Sequence, residues 1–163
     1  MALKTHFKKW PIKMVNQKSP ATCWAAATAM LLGKSVPVGP GAAKTKPDGG
    51  LLPDRANIEK FARSHGLVLE PFRTWTAQGF WKLFQQGPIL CMGNVPIHRL
   101  GVGGHAYVIV EMDTDGTTAG TNMLIYDPKP TIIQANYAQR IEKYPISMYH
   151  ILRLRNPFSR CIR

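Results

Sequence analysis

QKSPATCWAAATAMLLG, residues 17–33, is the stretch that decides the fold. Its alanines, Met30, Leu31 and Leu32 are strong helix formers, and Gly33 supplies the C-terminal stop. Thr22 stands where an N-cap is expected. Polar side chains are nearly missing from this helix, so it has no face to offer to water and must be buried on most sides. Cys23 stands at its head. A cysteine on an alanine-rich buried helix is ordinarily a small core residue. At the N-terminal end, however, the helix dipole and the unpaired amides favour a thiolate, as a reactive cysteine requires.

Upstream of this helix, MALKTHFKKWPIKMV reads as extended, with alternating apolar positions at Ile12 and Met14. Downstream, SVPVGPGAAKTKPDGG (35–50) is rich in Pro, Gly and Lys and reads as a long surface loop. PDRANIEKFARSHG (53–66) is predicted to be a second helix, with Ile58, Phe61 and Ala62 on one face and Gly66 at its end. LVLEPF is a candidate short strand. TAQGFWKLFQQGP (76–88) is a third helix, stopped by Gly87 and Pro88; Trp75, Phe80, Trp81 and Phe84 fall at helical spacing and read as core.

The C-terminal half changes character. PILCMG, HAYVIVEM, NMLIYDP and ISMYHILRL are short apolar runs rich in β-branched and aromatic residues, separated by turn signals such as DTDGTTAG (113–120). Helices first and strands afterwards indicate an α+β fold. The expectation is a single domain over 1–163, with a helical layer (about 20–87) packed on an antiparallel sheet (about 88–155).

Bulk properties bound what such a domain can do. A hydrophobic share of 45% against 18% charged residues is enough to bury a core, which excludes disorder. No stretch approaches the roughly 20 apolar residues that span a bilayer. The positively charged N-terminus lacks an apolar segment behind it, so no Sec-type export signal is expected. Cys23, Cys91 and Cys161 are odd in number and widely spaced, which supports neither a disulfide framework nor a zinc site, and reads as a chain at home in a reducing compartment. His98 lies seven residues from both Cys91 and His105, a spacing that does not match the usual ligand pattern, and no metal or other cofactor is expected. The net charge of +12 suits a solvated surface or an acidic protein partner. No recognition motif accompanies that charge to indicate nucleic-acid binding.

Three further residues give Cys23 its weight. Gln17 lies six positions earlier, and a side-chain amide beside a nucleophile can complete an oxyanion hole with the nucleophile's own N–H. His105 opens the apolar strand in GGHAYVIV, directly after Gly103 and Gly104, whose missing side chains let a ligand approach. Asp127 ends the following strand, NMLIYDP, where an antiparallel hairpin can bring it beside His105 to orient the imidazole. The segment 97–104 could then line a substrate cleft.

Taken in order, Gln17, Cys23, His105 and Asp127 resemble the papain clan of cysteine peptidases. The strings carrying the resemblance are QKSPATCWAAA and GHAYVIV. In that clan a glutamine lies six residues before the nucleophile, and the nucleophile is followed by Trp and a small residue, as by Trp24 and Ala25 here. The resemblance implies a catalytic Cys23–His105–Asp127 triad with Gln17 as oxyanion donor, and substrate contacts at Trp24, Gly103 and Gly104. Two departures are informative: SPATC replaces the CGSC string of papain proper, and Asp127 stands where papain uses Asn. These features, with the GPIL run, look more like compact bacterial members, among them effector or toxin proteases and, more distantly, double-glycine leader peptidases. The implied protein is a peptidase delivered without a Sec signal to the cytoplasm of a target cell, or else a cytoplasmic one, with a protein substrate and an acidic immunity or inhibitor protein as partner. A deamidase, a transglutaminase or a peptidoglycan amidase would keep the fold and change the bond, and a basic binding module would keep Cys23 only as core.

Overall fold

The computed structural model describes residues 5–34, 38–97, 101–138 and 149–156. The apolar run that opens the argument forms α1 (Cys23–Leu32), with Gly33 closing it at φ 70° and donating its amide to the Ala29 and Met30 carbonyls. Ala26, Ala27, Ala29 and Leu31 are fully buried, as a helix without a polar face requires. The second predicted helix is α2 (Arg55–Ser64), capped by the Asp54 side chain on the Asn57 amide and followed by Gly66 at φ 66°. The third is α3 (Ala77–Phe84), capped by Thr76 on the Gly79 amide.

The strands are β1 (His6–Lys9), β2 (Leu67–Leu69), β3 (Ile89–Ile97), β4 (Gly101–Thr114), β5 (Thr121–Asp127), β6 (Thr131–Asn136) and β7 (Tyr149–Leu154). They form one antiparallel sheet in the order β2-β7-β3-β4-β5-β6. The long β4 is its spine. β3 runs along one edge of β4 as far as the Ile89–Ile109 pair, and β1 then takes over that edge from Glu111 to Thr114. The sequence pattern announces neither β1 nor β6 as a separate element. His6–Lys9 carries too little apolar alternation to announce a strand, and TIIQAN lies on the sheet's rim with most of its side chains wholly or partly exposed.

Side chains alternate across the sheet and feed two apolar clusters. Leu90, Met92, Val108, Val110 and Leu152 pack with α1 and α2. Ile89, Cys91, Tyr107, Ile109 and Ile151 pack with α3, and with Trp75, Phe80, Trp81 and Phe84, whose helical spacing pointed to this role. Helices therefore lie against both faces of the sheet, where the sequence suggested one helical layer. The reason is local: α3 follows the short strand β2 and carries its own aromatic face. The extended N-terminal segment straps these parts together. Trp10 donates its backbone amide to Val110 at 2.8 Å and its indole N–H to the Phe84 carbonyl at 3.0 Å.

Phe61 is fully buried between the Trp24 ring, edge-on at 5.6 Å, and the His65 ring at 4.5 Å. Removing it leaves a cavity where α1 meets α2, so Phe61→Ala should cost about 3–5 kcal/mol in urea denaturation. A loss well under 1 kcal/mol would mean that this contact does not hold the two helices together.

Candidate active site

The head of α1 is built by a turn of 3-10 helix, Pro20–Thr22. The Ser19 amide donates to the Thr22 hydroxyl at 3.0 Å, and that hydroxyl donates back to the Ser19 carbonyl at 3.0 Å. Thr22 thus occupies the expected N-cap position but turns its hydroxyl away from the helix, and makes no side-chain cap bond. The expectation of a Thr22 cap is corrected on this point: the preceding turn claims the hydroxyl. The amide end of α1 is left without a capping side chain, beside a Cys23 that is 6% exposed and borders a cleft of about 930 Å³.

Strand register brings the other two residues together. Val108 pairs with Tyr126, so β5 stops at Asp127 while β4 extends past it to His105. Residues offset by two on neighbouring strands share a face and lie within reach of long side chains. The His105 Nε2–H donates to Asp127 Oδ2 at 2.8 Å, and the other carboxylate oxygen accepts the Lys129 amide at 2.9 Å. With Nε2 occupied, Nδ1 is the ring nitrogen left for Cys23, which borders the same cleft and helps to raise the pKa of the imidazole.

Burial pulls the His105 pKa down, but the hydrogen bonds to Asp127 and Cys23, with the charges of both, outweigh it and raise the pKa from 6.5 to about 9. Burial pushes the Asp127 carboxyl up, yet the His105 hydrogen bond and the Lys129 amide prevail and hold it below the usual range. The imidazole is accordingly protonated at neutral pH beside an ionised carboxylate.

Gln17 is placed at the same end of the sheet. Its backbone amide donates to the Pro128 carbonyl at 2.8 Å, directly after Asp127. Its Nε2 gives a hydrogen to the Ser19 carbonyl at 2.9 Å, while Oε1 is buried and has no hydrogen-bond partner among the described residues. A carboxamide nitrogen carries two hydrogens, so one remains. Gln17 does not line the cleft itself, whereas Ser19 and Pro20 do.

Gly104 pairs with Asn94 and lines the cleft, and a side chain built there would meet nothing within 4 Å among the described residues. Gly103 pairs with Val95 one step earlier in the ladder. Trp24 borders the cleft but is buried, with its indole N–H on the Gly49 carbonyl at 3.0 Å. Cys91 is buried in the α3 cluster, and His98 and Cys161 lie outside the described residues. Among the described residues no group of three or more His, Cys, Asp or Glu side chains could hold a metal ion.

Two parts of the cleft were not legible. The surface loop 35–50 supplies most of a hairpin over 44–52 that forms a wall of the cleft, signalled in the sequence by no more than the PDGG turn string. His150, hidden in the apolar run of β7, also lines the cleft. Its Nε2 donates to the Pro53 carbonyl at 2.9 Å. Burial lowers its pKa, opposed by the Pro53 hydrogen bond and Asp54 and aided by the Arg55 charge, so it is neutral where His105 is charged.

The His105 shift has a stability consequence. Its contribution is fully present below the unfolded pKa of about 6.5 and is lost as pH rises through about 9. Urea unfolding should therefore show wild-type stability falling across that interval, and Asp127→Asn should flatten the fall. Equal slopes in both proteins would contradict the pairing.

The family model described as papain-like cysteine protease AvrRpt2 matches residues 5–144, a span containing Gln17, Cys23, His105 and Asp127. No curated protein matches the chain. The match covers most of the sequence, and the chain belongs to the family of papain-like cysteine proteases that includes AvrRpt2: it is a protease, and its substrates are proteins.

Proposed function

We propose that Cys23, His105 and Asp127 form the catalytic triad of an endopeptidase, with Gln17 and the Cys23 backbone N–H as the oxyanion hole. The observation that carries this reading is His105, hydrogen-bonded to Asp127 at 2.8 Å and lining the same cleft as Cys23. A nucleophile, a base within its reach and a third group orienting that base are the requirements for thiol catalysis.

In this mechanism Asp127 fixes the ring with its proton on Nε2, leaving Nδ1 to exchange a proton with Cys23. The thiolate adds to the scissile carbonyl, and the second N–H of Gln17 and the Cys23 N–H take the charge that develops on its oxygen. Collapse of that adduct breaks the C–N bond, and the imidazolium gives its proton to the departing amine. Water, deprotonated by the now neutral His105, then attacks the thioester and releases Cys23. The steps draw only on the protein's own groups and water. Gly103 and Gly104 are assigned to substrate binding by leaving room beside His105 for an extended peptide, and Trp24 serves it through the cleft wall that its indole holds at Gly49.

The biological setting follows the bacterial effector group that the sequence resembles. We assign the chain to a protease that acts on proteins in the cytoplasm of a target cell, and the +12 charge suits an acidic inhibitor or immunity protein as its partner.

The test compares new protein N-termini in cells expressing the wild type, Cys23→Ala or Gln17→Ala. Wild type should generate discrete cleavages, and Cys23→Ala none. Gln17→Ala, lacking one oxyanion donor, should cleave the same sites about 10²–10³ times more slowly. If the wild type yields no Cys23-dependent N-termini but converts glutamine to glutamate in cellular proteins, the endopeptidase reading fails in favour of a deamidase.

A further inference from the structure

The 44–52 hairpin has little to stabilise it from within. Thr45 pairs with Leu51, the Lys46 amide donates to the Gly50 carbonyl at 2.7 Å, and the Leu52 amide to the Lys44 carbonyl at 3.1 Å. Gly49 turns the tip at φ 89°. An isolated two-stranded hairpin is marginal in water. Its place against the nucleophile must therefore come from outside, and two buried side chains provide it.

The first is Asn57, 5% exposed on the opening turn of α2. Its Oδ1 accepts the Lys44 amide at 2.7 Å, and its Nδ2 donates to the Lys44 carbonyl at 2.8 Å and the Leu52 carbonyl at 3.0 Å. One carboxamide thus bridges both strands at the base of the hairpin. The second is Trp24, whose indole N–H reaches the Gly49 carbonyl at the tip. That indole cannot swing freely, because Phe61 abuts it edge-on. Base and tip are thereby fastened to different helices, and the tip is fastened by the residue next to Cys23. Between the two fastenings, Lys46, Asp48, Gly50, Leu51 and Leu52 line the cleft that also contains Cys23 and His105.

We propose that Trp24 and Asn57 are positioning residues that clamp the 44–52 hairpin as a preformed wall of the substrate cleft. The proposal rests on the reading of this cleft as the peptidase site. It assigns Trp24 an action through the hairpin, and Asn57 a role that its place on an otherwise structural helix does not announce. With the clamp intact, a substrate chain meets an ordered wall and does not have to order it on binding. With the clamp loosened, that ordering is charged to substrate affinity, while the Cys23–His105–Asp127 geometry is unaffected.

The purified chain is compared with Trp24→Phe, which keeps most of the ring contact and loses the N–H, and with Asn57→Leu, which keeps the branched shape and loses all three hydrogen bonds. Three readouts are taken: kcat and KM on a fluorogenic peptide copied from a mapped cleavage site, the rate of Cys23 alkylation by iodoacetamide, and hydrogen exchange at the Gly49 and Leu52 amides. Each variant should raise KM about tenfold with kcat and alkylation nearly unchanged, and should speed exchange in the hairpin. An unchanged KM in a folded variant, or kcat and alkylation falling together, overturns the clamp. Should Asn57→Leu fail to fold, Trp24→Phe decides alone. A wild type that cleaves no peptide sinks the peptidase reading by itself. In that case unchanged exchange at Gly49 and Leu52 in Trp24→Phe separately sinks the clamp, and faster exchange upholds it.

Discussion

A buried imidazole is costly to keep charged, and the hydrogen bond from His105 Nε2 to Asp127 is what offsets that cost. The bond fixes the tautomer, orients the ring and leaves Nδ1 to the thiol. It depends in turn on register. β5 must stop at Asp127 and β4 must run on to His105, because a one-residue slip of either strand would send one side chain to the opposite face of the sheet. Register is held by the apolar alternation of both strands and by their partners on either side. β3 and β1 share one edge of β4, and β6 pairs with β5 along most of its length.

Cys23, the proposed nucleophile, is placed by different physics. α1 has no solvated face, so it can settle only where apolar surface surrounds it, and the sheet and α2 supply that surface. Its N-terminal end borders the cleft through Cys23 and Trp24. The segment before it is tethered through Trp10 to β4 and α3, and through the Gln17 amide to Pro128. Gln17 is thus fixed to the backbone that carries Asp127. A single chain segment therefore links Gln17, Cys23 and Asp127, the proposed oxyanion donor, nucleophile and acid.

What could be read from the sequence follows from how local each signal is. The three helices were legible because each carries its own pattern and boundaries: the alanine run before Gly33, the Ile58–Phe61 face before Gly66, and the aromatic face of 76–84. The pairing of His105 with Asp127 was legible because two adjacent strands joined by a recognisable turn must pass side by side. The hairpin wall was not, since 44–52 is polar and glycine-rich, and what makes it a wall is a carboxamide on α2 and an indole on α1. Asn57 gave no sign of this, because a polar residue in the first turn of a helix usually faces water. His150 was hidden for the converse reason, being embedded in an apolar strand where only the arrangement of β7 beside β3 turns it toward the cleft. Helices on both faces of the sheet also escaped notice, because strand order is a property of the whole sheet and of no one strand.

The central claim is that Cys23 is an activated nucleophile and not a buried core thiol. The most direct measurement is its rate of alkylation by iodoacetamide at pH 6, followed by mass spectrometry, against a free model thiol and against His105→Ala. The account predicts that Cys23 reacts much faster than the model thiol and that His105→Ala abolishes the advantage. A Cys23 that reacts no faster than the model thiol would contradict it.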